Sequence, residues 1–123
     1  MNPVVLRIMS EKLAQVAHET NNAYRTVMLG LPAKCWDELS AEEKTGITYA
    51  AEKAVLDPKL KPKDSHESWL QMKLAQGWVY GTAENKEAKQ HPCMVEWDLL
   101  PDDRKVQDAL FIVVCRTTAK WLM

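Results

Sequence analysis

Residues 36–43 read WDELSAEE, and residues 97–104 read WDLLPDDR. Each stretch sets a leucine three positions after a tryptophan, then a residue suited to opening a helix, then acidic side chains where the first helical turn would lie. Ser40 with Glu43 is a capping-box pattern, in which hydroxyl and carboxylate satisfy two backbone donors that a helix start leaves unpaired. Pro101 is favoured at a helix entrance, and Asp102 and Asp103 are favoured by the positive end of the helix dipole. The two stretches lie 61 positions apart, as do two copies of KLAQ at 12–15 and 73–76. This shared offset predicts a single domain over 1–123, made of half-repeats of about 1–60 and 61–123. Each half is a helix, a connector, a Trp-Asp-x-Leu entrance and a second helix, so each is an αα unit with one apolar face to bury against the other. An ordinary four-helix domain with a coincidental echo is the alternative. The expected fold is mainly α, a compact domain of about four helices with short extended segments near residues 78–80 and 94–97.

Working outward, Asn2-Pro3 predicts the start of a long first helix and Gly30 its stop. Val5, Met9, Leu13, Val16, Thr20, Tyr24 and Val27 recur at spacings of three and four, which predicts the buried face. The second helix runs from Ser40 to about Leu56. DPKLKPKD at 57–64 is expected to be an exposed connector, after which Asp64 with Glu67 predicts the start of a short third helix ending at Gly77. From Trp78 to Met94 no helical period is visible, so Trp78–Gly81 and Met94–Trp97 are expected as short extended pieces. Val106, Ala109, Leu110, Val113, Val114 and Thr117 form the expected buried stripe of the last helix.

Composition bounds the function. The 123 residues carry 16 basic and 17 acidic side chains, a formal charge of −1, so the footprint of a duplex nucleic-acid binder is missing. The N-terminal MNPVVLRIMSEK has neither a basic leader nor a long apolar run, and no stretch reaches the length of a membrane span, which places the chain in a cytoplasm with no membrane role. Cys35, Cys93 and Cys115 have no CxxC spacing and are expected as reduced, mostly buried thiols. No metal-ligand spacing, glycine-rich phosphate loop or nucleophile elbow occurs, so no metal, cofactor or catalytic residue is expected and the chain is not an enzyme. Cys93 beside His91 is separated by a proline, which seldom lets neighbours aim at each other.

The irregular segment is where function is expected. Trp69, Trp78, Tyr80 and Trp97 cluster around it, with Lys73, Lys86, Lys89 and His91 interleaved. Aromatic faces stack on bases and lysines meet phosphates, so such a bend is suited to a nucleotide. Core packing is the competing reading for Trp69 and Trp97, and a solvated charge run for Lys86 and Lys89. On helix one, His18, Asn21 and Asn22 share a surface that either lines a cleft or holds a buried hydrogen-bond network. His66, near a helix start, is expected to act locally.

The stretch from Ser65 to Lys105 resembles the ryanodine-receptor repeat (RyR) domain. A helix with Trp69 is followed by GWxYG at 77–81, a lysine-containing spacer, His91-Pro92, and Leu100-Pro101 before an acidic helix start, and the resemblance runs over residues 65–122. VAHETNNAY at 16–24 and CWDEL at 35–39 are similar to the region preceding that motif in small stand-alone proteins of bacteriophages and prophages. Family members often carry Pro-Tyr or Pro-Phe where this chain has Glu96-Trp97, and an Asn-Arg pair where it has Asn21-Asn22. The resemblance implies a non-enzymatic module: interaction and regulatory repeats on calcium-release channels, and bacterial forms associated with nucleotide signalling. The expected function is a ligand-binding protein that sequesters a nucleotide-derived signal, a cyclic nucleotide or an ADP-ribose-like molecule. Trp78, Tyr80, Lys89, His91, Lys73, Trp69, His18, Asn21 and Asn22 are the expected contacts. The alternative is a protein-interaction module that meets a host protein or another copy of itself through exposed aromatics.

Overall fold

Helix α1 (Pro3–Tyr24) begins where Asn2 accepts a 2.7 Å hydrogen bond from the Val4 amide and Pro3 occupies the first helical position. In the computed structural model, which describes residues 2–122, a π-helical turn (Arg25–Leu29) follows and closes on Gly30, whose φ of 64° is left-handed. Helices α2 (Ala41–Leu56), α3 (Pro62–Ala75) and α4 (Asp102–Leu122), with strands β1 (Val79–Tyr80) and β2 (Gln90–His91), complete a mainly α chain. It divides into two compact units. One runs to Leu60 and resumes at Ala109, and the other is Lys61–Asp108.

In the first unit the buried face of α1 is Met9, Ser10, Leu13, Ala14 and Ala17. Val5, Val16 and Val27, expected inside, are exposed. The reason is the neighbour: α2 meets α1 through Thr48, Ala51 and Ala54, and helices that approach on small residues bury alanine and serine in preference to bulkier valines. Trp36, Leu60, Ile112, Cys115 and Ala119 close this core, with Phe111 and Val114 packed against it. On α4 the buried stripe is therefore Ile112, Cys115 and Ala119, while the expected Val106 and Val113 face solvent. Cys115 touches the Leu13 carbonyl at 3.9 Å, and burial pushes its thiol up to about 12, so it acts as a small core hydrophobe. Cys93 is likewise buried and Cys35 half-buried, all three reduced.

The second helix starts as its sequence requires. Ser40 and Glu43 exchange two 3.1 Å bonds between side chain and backbone. At its other end Arg116 gathers three carbonyls, those of Ala54 at 3.0 Å and of Asp57 and Leu60 at 2.7 Å. Ala54 belongs to the last turn of the helix, whose final carbonyls lack helical partners, while Asp57 is its cap and Leu60 lies in the connector, so the guanidinium fork ties the helix end to the chain that leaves it. The connector is shorter than expected, because Leu60 is buried and α3 already begins at Pro62. Asp64 reaches back to the Lys61 amide at 3.0 Å, so it is the third helical residue rather than the cap.

Both Trp-Asp-x-Leu stretches form a 3-10 turn, Trp36–Glu38 and Trp97–Leu99, closed by the leucine amide on the tryptophan carbonyl at 3.1 and 3.0 Å. A histidine Nε2 donates to the carbonyl two positions before each tryptophan, His18 to Lys34 at 2.6 Å and His66 to Val95 at 2.7 Å. A lysine eight positions after each lies over its ring, Lys44 at 5.9 Å and Lys105 at 5.5 Å. The two copies of KLAQ do not share places: 12–15 precedes His18 in mid-helix, and 73–76 follows His66 at the end of α3. The positions that correspond are those of His18 and His66 instead.

Candidate functional site

The bend after α3 is built by two glycines with different tasks. Gly77 has φ of 88°, a conformation that L side chains rarely adopt, and it turns the chain so that the Trp78 amide bonds the Lys73 carbonyl at 2.9 Å. Gly81 gives clearance, since a Cβ there would stand 2.6 Å from the Gln90 Cβ. That approach lets β1 pair in parallel with β2, Val79 opposite Gln90 and Tyr80 opposite His91, with the Val79 amide on the Lys89 carbonyl at 2.9 Å. The Asn85 and Gln90 amides exchange bonds at 2.9 and 3.0 Å, which folds the spacer back on β2. Lys89 sits at φ of 53°, and its ammonium caps the end of α3 with a 2.8 Å bond to the Gln76 carbonyl.

Inside this frame the rings of Lys61–Asp108 form one ladder. Trp78 lies 6.4 Å from His91, His91 meets Trp69 edge-on at 5.1 Å, Trp69 stacks on His66 at 5.7 Å, and His66 lies 6.1 Å from Trp97. Lysines cover both ends, Lys73 at 4.5 Å from the Trp78 centroid and Lys105 over Trp97. Alternating imidazole and indole rings suit edge-to-face and offset contacts, and cations suit the outer faces. The hydrogen bonds fix the tautomers. Val95 can only accept, so His66 carries its proton on Nε2. The Cys93 amide donates to His91 Nδ1 at 3.0 Å, so that nitrogen keeps its lone pair and Nε2–H points toward Glu84, 3.9 Å away. Burial lowers the His91 pKa, Glu84 pulls it part of the way back, and Arg104 and Lys73 depress it further.

The structure thus brings Trp69, Lys73, Trp78, Tyr80, Lys89 and His91 together. Of these, Tyr80 alone is an aromatic with its side chain mostly outward, 57% exposed, beside Val79 at 52%. His18, Asn21 and Asn22 belong to the other unit, where His18 and Asn22 hold the connector. His18 meets Trp36 edge-on at 6.2 Å, the Asn22 carboxamide accepts the Ala33 amide at 2.8 Å, and the Asn21 and Asn22 carbonyls accept the Arg25 amide. Glu19 secures the same turn through the Trp36 amide at 2.8 Å. His66 is buried at the middle of the ladder, a part larger than the local one its sequence position suggests; the recurrence of His-Glu was the signal for it. Asp108 was missed altogether, because an acid in a helical stripe reads as surface.

Burial raises the Asp108 carboxyl to about 6, with His66 and Arg104 pulling it partly back. A raised acid binds its proton in the folded chain first, so Asp108 costs stability above pH 6 and the cost recedes as pH falls toward 4. The depressed His91 works in the other direction: its contribution is full above pH 6.5 and is lost as pH falls through its folded value. Asp108→Asn is therefore expected to stabilise the chain at pH 7.5, by on the order of 1–2 kcal/mol. The gain should shrink toward zero at pH 4.5 when urea midpoints are compared. An equal gain at both pH values would exclude this origin.

Among the described residues, no three His, Cys, Asp or Glu side chains group so as to hold a metal ion, and no helix is long and apolar enough to cross a membrane. Residues 59–113, spanning the α3 helix, the paired bend, the second Trp-Asp-x-Leu turn and the first half of α4, match the family model of the RyR domain. Residues 59–113 of this chain are therefore an RyR domain.

Proposed function

We propose that the protein is a non-catalytic binding module whose ligand is another protein, met by the β1 edge of the bend. The observation that supports this is the ring ladder. Trp69 is flanked by His66 and His91, and Trp78 by His91 and the Lys73 ammonium, so the indoles that would stack a base are already in contact with partners within the chain. The groups left outward are apolar, Val79 and Tyr80 on β1 with Met72 and Leu74 on the last turns of α3. Exposed aromatic and aliphatic side chains beside a short strand edge suit a protein surface. Val79→Asp and Tyr80→Ala should each abolish capture of a partner that the unaltered chain retains, while leaving its melting temperature nearly unchanged.

A second reading, a small nucleotide-like anion, has one observation in its favour. Lys73 lies over Trp78, Lys89 stands beside Gly77 with its ammonium on the Gln76 carbonyl, and neither is ion-paired among the described residues. Calorimetry with nucleotides, cyclic oligonucleotides and ADP-ribose derivatives separates the two. Saturable heat with any of them, lost in Lys73→Ala, would replace the first reading by the second.

A further inference from the structure

The face of α1 opposite its buried stripe carries a pattern that the core does not explain. Ile8, Lys12, Gln15, Val16, Glu19 and Ala23 are all exposed on it, and a shallow depression lies over its middle, lined by Lys12, Gln15, Val16, Glu19, Thr20 and Ala23. The order of these residues is self-complementary when the helix is reversed. Turned end for end about a point between Gln15 and Val16, Lys12 takes the place of Glu19, Ile8 that of Ala23, and Val4 that of Val27 on the following turn.

We infer that this face docks a second copy of the chain, the two α1 helices running antiparallel about a twofold axis at Gln15 and Val16. In that arrangement each Lys12 ammonium meets the partner copy's Glu19 carboxylate, and the charge pair occurs twice, as a twofold interface requires. A parallel pairing would set Lys12 against Lys12 and Glu19 against Glu19, which is repulsive. Glu19 is held ready, since one carboxylate oxygen is fixed by the Trp36 amide while Lys12 has no ion-pair partner among the described residues. Val4 and Ile8 are 66% and 53% exposed and Val27 80%, apolar surface that the pairing would cover at both ends. The depression at the axis receives the Val16 side chain of the other copy in ridge-to-groove fashion.

Sedimentation equilibrium of the full chain, from about 1 to 100 µM, should show a monomer–dimer equilibrium, and Lys12→Glu should weaken it at least about tenfold without changing the circular dichroism or melting temperature. Register is tested by cross-linking in a Cys35→Ser background. Ile8→Cys combined with Ala23→Cys should form disulfide-linked dimers on oxidation, whereas Ile8→Cys alone should not, because its two copies lie roughly 22 Å apart along the axis. A chain that stays monomeric at every concentration, a dimer indifferent to Lys12→Glu, or ready cross-linking of Ile8→Cys alone would overturn the inference. These outcomes are independent of the β1 edge, so they leave the proposed function standing or falling on its own test.

Discussion

Trp69→Ala is expected to cost about 4 kcal/mol of stability, the range found when a tryptophan packed among other side chains is truncated. The ladder explains the size of the effect. Trp69 stacks on His66 at an interplanar angle of 28° and receives His91 edge-on at 70°, so its removal strips a ring contact from both imidazoles at once. His66 would then sit beside a void, still tied to Val95 but no longer packed on that side. A thermal or urea melt reads the loss directly. Tyr80→Ala is the control: its side chain is mostly in solvent, and a surface substitution of that kind should stay within about 0.5 kcal/mol. If Trp69→Ala melted within about 1 kcal/mol of the unaltered chain and lost only binding, the ladder would be a ligand surface and not a core.

Gly81→Ala is expected to destabilise by about 3 kcal/mol, more than Gly77→Ala, although only Gly77 has a positive φ. The two glycines of GWVYG fail for different reasons. At Gly77 the added methyl finds ordinary contact with the Lys89 side chain at 3.9 Å, and the cost is the left-handed backbone, about 1 kcal/mol. At Gly81 the methyl meets the Gln90 Cβ at 2.6 Å, and carbons pack at about 3.5–4.0 Å, so β1 must separate from β2. Gln90→Gly in the same chain should recover much of the loss, because it removes the atom in the way. A double-mutant cycle on melting midpoints tests this; additive losses with no recovery would show that strand approach is not what Gly81 provides.

What could be read in the sequence divides along physical lines. Features fixed by neighbours in the chain were legible: the Ser40 capping box, Asn2-Pro3 at the start of α1, Pro101 before α4, the mainly helical fold, and the RyR resemblance of GWVYG with His91-Pro92. Features fixed by partners far along the chain were not. Valines at helical spacing misplaced part of the buried faces: Met9 and Leu13 of α1 are inside as expected and Val114 of α4 packs on the core, but Val5, Val16, Val27, Val106 and Val113 are exposed, because Ala14, Ala17, Ala51 and Ala54 decide how closely α1 and α2 approach and contribute little hydropathy. Asp64 read as a cap, yet it stands three residues inside a helix that Pro62 opens. The second extended piece fell at Gln90–His91 instead of 94–97, because the Asn85–Gln90 fold-back sets which residues face β1. The aromatic residues of the candidate site were identified, but their mutual contacts, and His66 at their centre, required the three-dimensional arrangement.

The imidazole nitrogens report most directly whether the ring ladder is formed. This chain has three histidines, and a long-range ¹H–¹⁵N correlation spectrum at pH 7 reports the protonation of each ring nitrogen. With the ladder formed, His66 and His91 are expected as fixed Nε2–H tautomers, with a slowly exchanging His66 Nε2 proton bound to the Val95 carbonyl and an acceptor Nδ1 on His91. Averaged, freely exchanging shifts for both rings would mean that the ladder is not formed, and the bend would then be an open surface whose tryptophans are available to a ligand.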